Sequence, residues 1–211
     1  MKQFRIHPLL SDIVQSGILA CDGVVFDNRD ACPACGGNLT GYDTKKKQFA
    51  VIQEGDRPHS VHVLVKRFSC RQCGTVCFAD EPYYPGIRIG SPAVDLCITL
   101  AAIMPYHRAA AYMSHMGIVI DRGTVRNYAS GLFPEIPTTD LFGIHLPLSV
   151  VSLSTIAAHA NEGTRIIGTE VLAACGFPSA YRAAPDRLFP LKQGNEREEE
   201  ENKKERQAYH P

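Results

Sequence analysis

Two Cys-x-x-Cys pairs constrain this chain more than any other feature: Cys32-Pro33-Ala34-Cys35-Gly36-Gly37 and Cys70-Arg71-Gln72-Cys73-Gly74. Each sets two thiols in one tight knuckle with glycine directly behind the second. Glycine adopts positive φ freely, which turns backbone N–H groups back toward the sulfurs. Four thiolates so arranged suit a closed tetrahedral Zn²⁺ site, with Cys32, Cys35, Cys70 and Cys73 as ligands and no position open to a substrate. The residues between the pairs, 36–69, read as a hairpin that brings the knuckles together. Two redox dithiols or two disulfides are the competing readings. A redox motif needs only one pair, however, and no thioredoxin-like setting surrounds either.

The other four cysteines, Cys21, Cys77, Cys97 and Cys175, follow no pairing pattern. Unpaired thiols beside a thiolate site predict a reducing, cytoplasmic setting. Cys77 is near enough to Cys73 to be a spare ligand, although a structural thiol is the simpler reading. Hydrophobic residues make up 45% of the 211, enough for a folded core. The formal charge is zero, with 22 basic and 22 acidic side chains, but residues 193–211 are too charged to bury and are expected to be a disordered tail. At the N-terminus, Ile18-Leu19-Ala20-Cys21 has the outline of a lipoprotein cleavage site. His7, Pro8, Ser11, Asp12, Gln15 and Ser16 interrupt any apolar segment before it, so a short helix, Pro8 to Ser16 closed by Gly17, is expected instead. No apolar run approaches the roughly 20 residues of a membrane span.

The expected fold class is α+β, with a zinc-ribbon hairpin followed by a mainly helical helix-turn-helix region and a helical C-terminal part. Residues 1–30 supply the first helix and a turn-rich lead-in. Residues 31–80 form the ribbon, with strands at 48–53 and 60–68 around the turn Glu54-Gly55-Asp56-Arg57-Pro58. Val61, Val63 and Val65 alternate with His62, Leu64 and Lys66, so one face is apolar. A unit this small buries little apolar surface, and a structural zinc would supply most of its folding free energy, on the order of 10 kcal/mol. Residues 81–90, with Pro82, Pro85, Gly86 and Gly90, read as a linker.

Three short helices follow in 91–131. Ser91 is expected to cap the first, with Pro92 at its first position and Met104 at its end; Tyr106 to Met116 is closed by Gly117; Arg122 to Ser130 is capped by Asp121. Their order is the outline of a helix-turn-helix, with a turn two residues longer than the compact form. In the third helix Val125 and Tyr128 fall on a packing face. Arg122, Thr124, Arg126 and Asn127 lie outward or flank that face. Arg and Asn can bond bidentately to guanine and adenine edges, and Thr suits phosphate or a thymine methyl. An ordinary solvated helix face is the competing reading. On the ribbon, Lys45, Lys46, Lys47 and Arg67 are candidates for phosphate contact, or else a solvated turn that balances the thiolates.

The run Pro82-Tyr83-Tyr84-Pro85-Gly86-Ile87-Arg88-Ile89-Gly90-Ser91, the helix behind it, and Gly117-Ile118-Val119-Ile120-Asp121-Arg122-Gly123-Thr124-Val125 resemble the N-terminal half of a group of bacterial and archaeal insertion-sequence transposases. The resemblance spans roughly residues 31–131. It implies a four-cysteine zinc ribbon, a serine-containing linker and a helix-turn-helix with a long turn, in which Arg122, Thr124 and Arg126 approach DNA. Such transposases cut DNA with three carboxylates around two metal ions on a ribonuclease H-like core. About 80 residues follow Gly131, too few for that core, and Glu135, Asp140, Glu162, Glu170 and Asp186 read as caps and surface charges. Within 132–192, helices at 148–160 and 168–175 are expected, the second closed by Gly176. Their layout resembles the start of a winged helix, with a helical packing or dimer element as the alternative.

The sequence therefore predicts a zinc-dependent, non-catalytic DNA-binding protein, a regulator or a domesticated transposase fragment. Its expected partner is DNA, and a homodimer is compatible with it. No membrane and no small-molecule substrate is expected. The alternatives are a protein-interaction adaptor built on the ribbon and a non-catalytic transposase subunit.

Overall fold

The computed structural model describes residues 7–160 and 165–177. It is an α+β fold whose elements run α1 (Pro8–Leu19), β1 (Val25–Phe26), β2 (Leu39–Glu54), β3 (Arg57–Cys70), β4 (Val76–Phe78), α2 (Ser91–Ile103), α3 (Tyr106–His115), α4 (Arg122–Ala129), β5 (Thr138–Leu141), β6 (Ile144–Pro147), α5 (Leu148–His159) and α6 (Gly168–Ala174). β3 is the organising strand. β2 pairs with it antiparallel along its whole length, while β1 (parallel) and β4 (antiparallel) share its other edge. Among the described residues no helix is long and apolar enough to cross a membrane.

The alternation in β3 is realised: Val61, Val63 and Val65 are fully buried, while His62, Leu64 and Lys66 are half-exposed. β2 is far longer than the segment 48–53 expected from sequence, because Leu39 to Gln48 continue the pairing out to the knuckles, with irregularities at Gly41/Asp43 and Gln48/Ala50. Lys45, Lys46 and Lys47 are thus strand residues and not a turn. Side chains alternate between faces of a strand, so Lys46 points opposite to Lys45 and Lys47 and the three form no single patch.

The buried valines belong to a core that continues through the helices. It takes in Phe49 and Ile52 of β2, Leu10, Val14 and Ile18 of α1, Leu96 and Leu100 of α2, Met113 of α3, Val125 of α4, and Leu153 of α5. Residues 81–90 have no regular structure, as a linker would, but they are packed into this core through Tyr83, Tyr84 and Ile87. Gly90 lies flat against the Phe49 ring, where any side chain would overlap it, and its N–H donates to Phe49 O at 2.8 Å. That contact brings the chain into α2 one residue early. Gly90 is the cap, and Ser91 sits inside the helix, fully buried, in place of the expected serine cap.

Two further expectations are corrected. α1 does not stop before Gly17 but runs through it to Leu19, because the glycine is where α5 crosses: a Cβ there would lie 2.8 Å from the Ser154 backbone nitrogen. The C-terminal part is not wholly helical. β5 and β6 form a hairpin before α5, joined through Phe142 and Gly143, both at positive φ (51° and 77°). That is the backbone of a primed two-residue turn. The expected helices are present as α5 and α6, and Gly176 closes α6 at a φ of 72°. The charged tail and the third element of a winged helix fall outside the described residues.

Asp95 of α2 ties three segments together and is 4% exposed. Its Oδ1 accepts from the Tyr84 hydroxyl at 2.6 Å and its Oδ2 from the Ser149 hydroxyl at 2.7 Å. Burial pushes its carboxyl up to about 6, against the pull of those two hydrogen bonds. The native state therefore holds this proton more tightly than the unfolded chain does. Stability is expected to fall as pH rises from about 4 through about 6, by on the order of 2–3 kcal/mol from this one group. Asp95→Asn should remove that segment of the pH–stability curve, which chemical denaturation of both proteins across the range would read.

Candidate metal centre

The two knuckles are built alike. In the first, Cys32 N–H donates to Gly37 O at 3.0 Å and Gly36 N–H to Cys32 O at 2.8 Å. In the second, Cys70 N–H donates to Thr75 O at 2.9 Å and Gly74 N–H to Cys70 O at 3.0 Å. Gly36 and Gly74 share a φ of 72°, the left-handed turn that a side chain would resist. The β2–β3 register sets them face to face, since Leu39 pairs with Cys70 and Arg71 N–H donates to Asn38 O at 3.0 Å. Gly37 sits at the seam, where a Cβ would lie 3.1 Å from Cys70 Sγ.

This arrangement brings all four expected cysteines together. Cys32 Sγ lies 3.6 Å from Cys73 Sγ and Cys35 Sγ 3.5 Å from Cys70 Sγ, and all four sulfurs lie within 4.8 Å of one another. Four ligands on zinc–sulfur bonds of about 2.3 Å would place tetrahedral sulfurs ~3.8 Å apart, so the set fits one ion. Cys32 and Cys70 are buried and Cys35 and Cys73 exposed, which puts the centre at the surface with a protein floor. Cys77 stands outside the group, buried in β4 opposite Phe68.

The thiols are electrostatically unlike. Hydrogen bonds from the Thr75 hydroxyl, 3.2 Å away, and from the Thr75 backbone pull Cys73 down to about 6. Backbone N–H groups of Cys73 and Gln72 lower Cys70 as well. Cys35 has help from Gly37 N–H, but the thiols of Cys73 and Cys70 outweigh it and drive Cys35 up to about 12. Four thiols this close cannot all ionise unaided, and a divalent cation is what lets them do so. Thr75 is a contributor the sequence reading missed; its only signal was a hydroxyl two residues past the last ligand.

The candidate DNA-contact residues divide into free and committed groups. On α4, Val125 is fully buried while Arg122, Arg126 and Asn127 are exposed. Thr124 is taken by the helix cap: Asp121 accepts from its N–H at 3.0 Å and from its hydroxyl at 2.6 Å. On the β2–β3 hairpin, Arg67 is engaged by both carboxylate oxygens of Asp43, whose pKa it lowers, and lies over Tyr42. Lys47 is bonded to Glu81 at 2.6 Å and lies over the rings of Phe78 (4.2 Å) and Tyr83 (4.9 Å). Lys45 pairs loosely with Asp43 at 3.9 Å, and Lys46 is exposed. Arg67 and Lys47 therefore serve to fasten the hairpin.

The long turn before α4 has a structural cause. After Gly117 (φ 83°) the chain runs along β2: Gln53 N–H donates to Gly117 O at 2.7 Å and Val119 N–H to Val51 O at 2.9 Å. The extra residues are the ones that make this pairing. They fix the start of α4 near the closed end of the hairpin, while the knuckles occupy its open end. From Ser60, the partner of Val51, to Cys70 is ten residues of strand, or roughly 33 Å.

Comparison of the chain with protein-family models, with curated proteins and with solved structures finds no match.

Proposed function

We propose that this chain is a zinc-dependent DNA-binding protein, with α2–α4 acting as a helix-turn-helix and Zn²⁺ on Cys32, Cys35, Cys70 and Cys73 stiffening the open end of the β2–β3 hairpin. The observation that carries the reading is α4: a short helix anchored by one fully buried valine, with Arg122, Arg126 and Asn127 exposed beside it. Those are base-reading side chains on an element small enough for the major groove. The knuckle end, with Arg71 exposed, lies toward the other end of the hairpin from the row that the lead-in to α4 joins, so it can supply a second, sequence-independent contact to the same duplex. Four thiolates fill every position on such a metal, which makes its role structural. The likeness to insertion-sequence transposases fits a regulator or a fragment that binds DNA and leaves a supercoiled plasmid uncut in Mg²⁺.

Selection from a random oligonucleotide pool with the zinc-loaded chain tests this. One motif should be enriched, and Arg126→Ala should weaken binding to it by about 1–3 kcal/mol and relax one base position. Lys46→Ala should weaken all sequences alike. Uniform loss in both variants would mean that α4 does not read bases. The adaptor reading has one observation in its favour: Ile103 and Leu132 are exposed apolar side chains, at 54% and 67%. Failure to enrich any oligonucleotide would favour it.

A further inference from the structure

Asp95 is an unusual group to leave as it is. Its carboxylate is buried, no cation among the described residues pairs with it, and each oxygen accepts one hydroxyl hydrogen bond, leaving lone pairs over. A buried carboxylate held only by hydroxyls costs far more than one matched by a positive charge. It also borders a cavity of about 500 Å³ between α2, the segment leading into β5, and α5–α6. Tyr84, Ser149 and Ser152 bring hydroxyls to the wall, Glu135 brings a second carboxylate, and Leu148 with proline and alanine side chains makes the remainder apolar. The size falls in the range of small-molecule sites, roughly 300–1,000 Å³, and the lining pattern is theirs: mostly apolar with a few convergent polar groups.

We infer that this cavity binds a small organic cation, an amine or guanidinium on a compact apolar body, with Asp95 as its counter-ion. The Tyr84 and Ser149 hydroxyls fix the plane of the carboxylate, so its remaining lone pairs accept from a ligand N–H group. Glu135 adds negative charge to the same cavity, which favours a cation over a neutral donor. The apolar wall covers the body of the ligand. The metal centre plays no part in this site, and the inference stands apart from the DNA-binding reading.

Thermal denaturation and calorimetry of the full zinc-loaded chain, at about pH 7.5, test it with phenethylamine, cyclohexylamine and agmatine, and with 2-phenylethanol as the neutral counterpart. At least one amine should raise Tm and give a measurable Kd, while the alcohol does neither. Asp95→Asn should weaken that amine about tenfold or more, and Glu135→Gln less. Ser152→Phe fills the cavity while leaving both hydrogen bonds to Asp95 in place, and should abolish binding. The amine effect should also fade near pH 5, where the carboxylate takes up its proton. Binding by no amine, equal binding of amine and alcohol, or amine affinity unchanged in Asp95→Asn and Ser152→Phe would each overturn the inference.

Discussion

Replacement of Cys70 by serine should strip the metal from the chain and unfasten the open end of its long hairpin. Native mass spectrometry of the parent protein is expected to give one Zn²⁺ per chain, and none in the variant. A structural zinc site contributes on the order of 10 kcal/mol to the fold that forms it, so the loss is large. It should also be local. Ala50 to Ile52 and Val61 to Val65 are held by the helices as well as by each other, whereas toward the knuckles, in Leu39 to Lys46, Lys66 to Cys70 and β4, the core thins to Phe68 and Cys77. Hydrogen exchange should therefore rise in 32–46 and 66–78 and stay slow in 50–52 and 61–64. Full zinc occupancy in Cys70→Ser would remove the cysteine centre from the account.

The second large effect is expected at Phe49. Its ring is 1% exposed, covered by Gly90 on one side and met edge-on by Tyr83 at 6.2 Å. It is where β2, residues 81–90 and the start of α2 share one piece of core. Phe49→Ala should cost about 3–5 kcal/mol, the usual loss for an aromatic side chain in a core that cannot collapse around the gap. Unfolding of the variant followed by tyrosine fluorescence and by helical circular dichroism should give coincident transitions, both lowered. A lowering below 1 kcal/mol, or separated transitions, would contradict a core shared between hairpin and helices.

Much of this was legible in the chain, and the reasons differ by element. The knuckles were readable because cysteine spacing and a following glycine encode both the clustering of the four thiols and the turn. Strand β3 was readable because Val61, Val63 and Val65 alternate strictly. The outer half of β2 was not, since Thr44 to Lys47 present an unbroken polar run whose strand conformation comes from pairing with β3. Gly17 was misread as a helix stop because sequence shows the missing side chain and not the backbone of α5 that occupies its space. The β5–β6 hairpin was hidden because its turn places Phe142, a residue with little preference for positive φ, where asparagine or aspartate would have announced it. The carboxylate partners of Arg67 and Lys47 were not legible, because charge alone does not reveal that Asp43 and Glu81 lie across the strand and loop to receive them. Asp95 gave no signal at all. Its partners, Tyr84 and Ser149, stand 11 residues before it and 54 after it, outside the helix that carries it.

The central claim is that zinc and α4 together make a DNA-binding surface, and its most direct test is a salt titration of duplex affinity with and without metal. Fluorescence anisotropy on the selected duplex should show log Kd rising linearly with log salt concentration, with a slope of several units for phosphate contacts by Arg122, Lys46 and Arg71. Lys46→Ala should lower both the affinity and the slope, whereas Arg126→Ala should lower the affinity and relax one base position. Chelation should weaken binding through the knuckle end while leaving the α4 contribution, so that the slope falls but does not vanish. Affinity that is absent, or that is the same at low and high salt with zinc bound, would contradict the account.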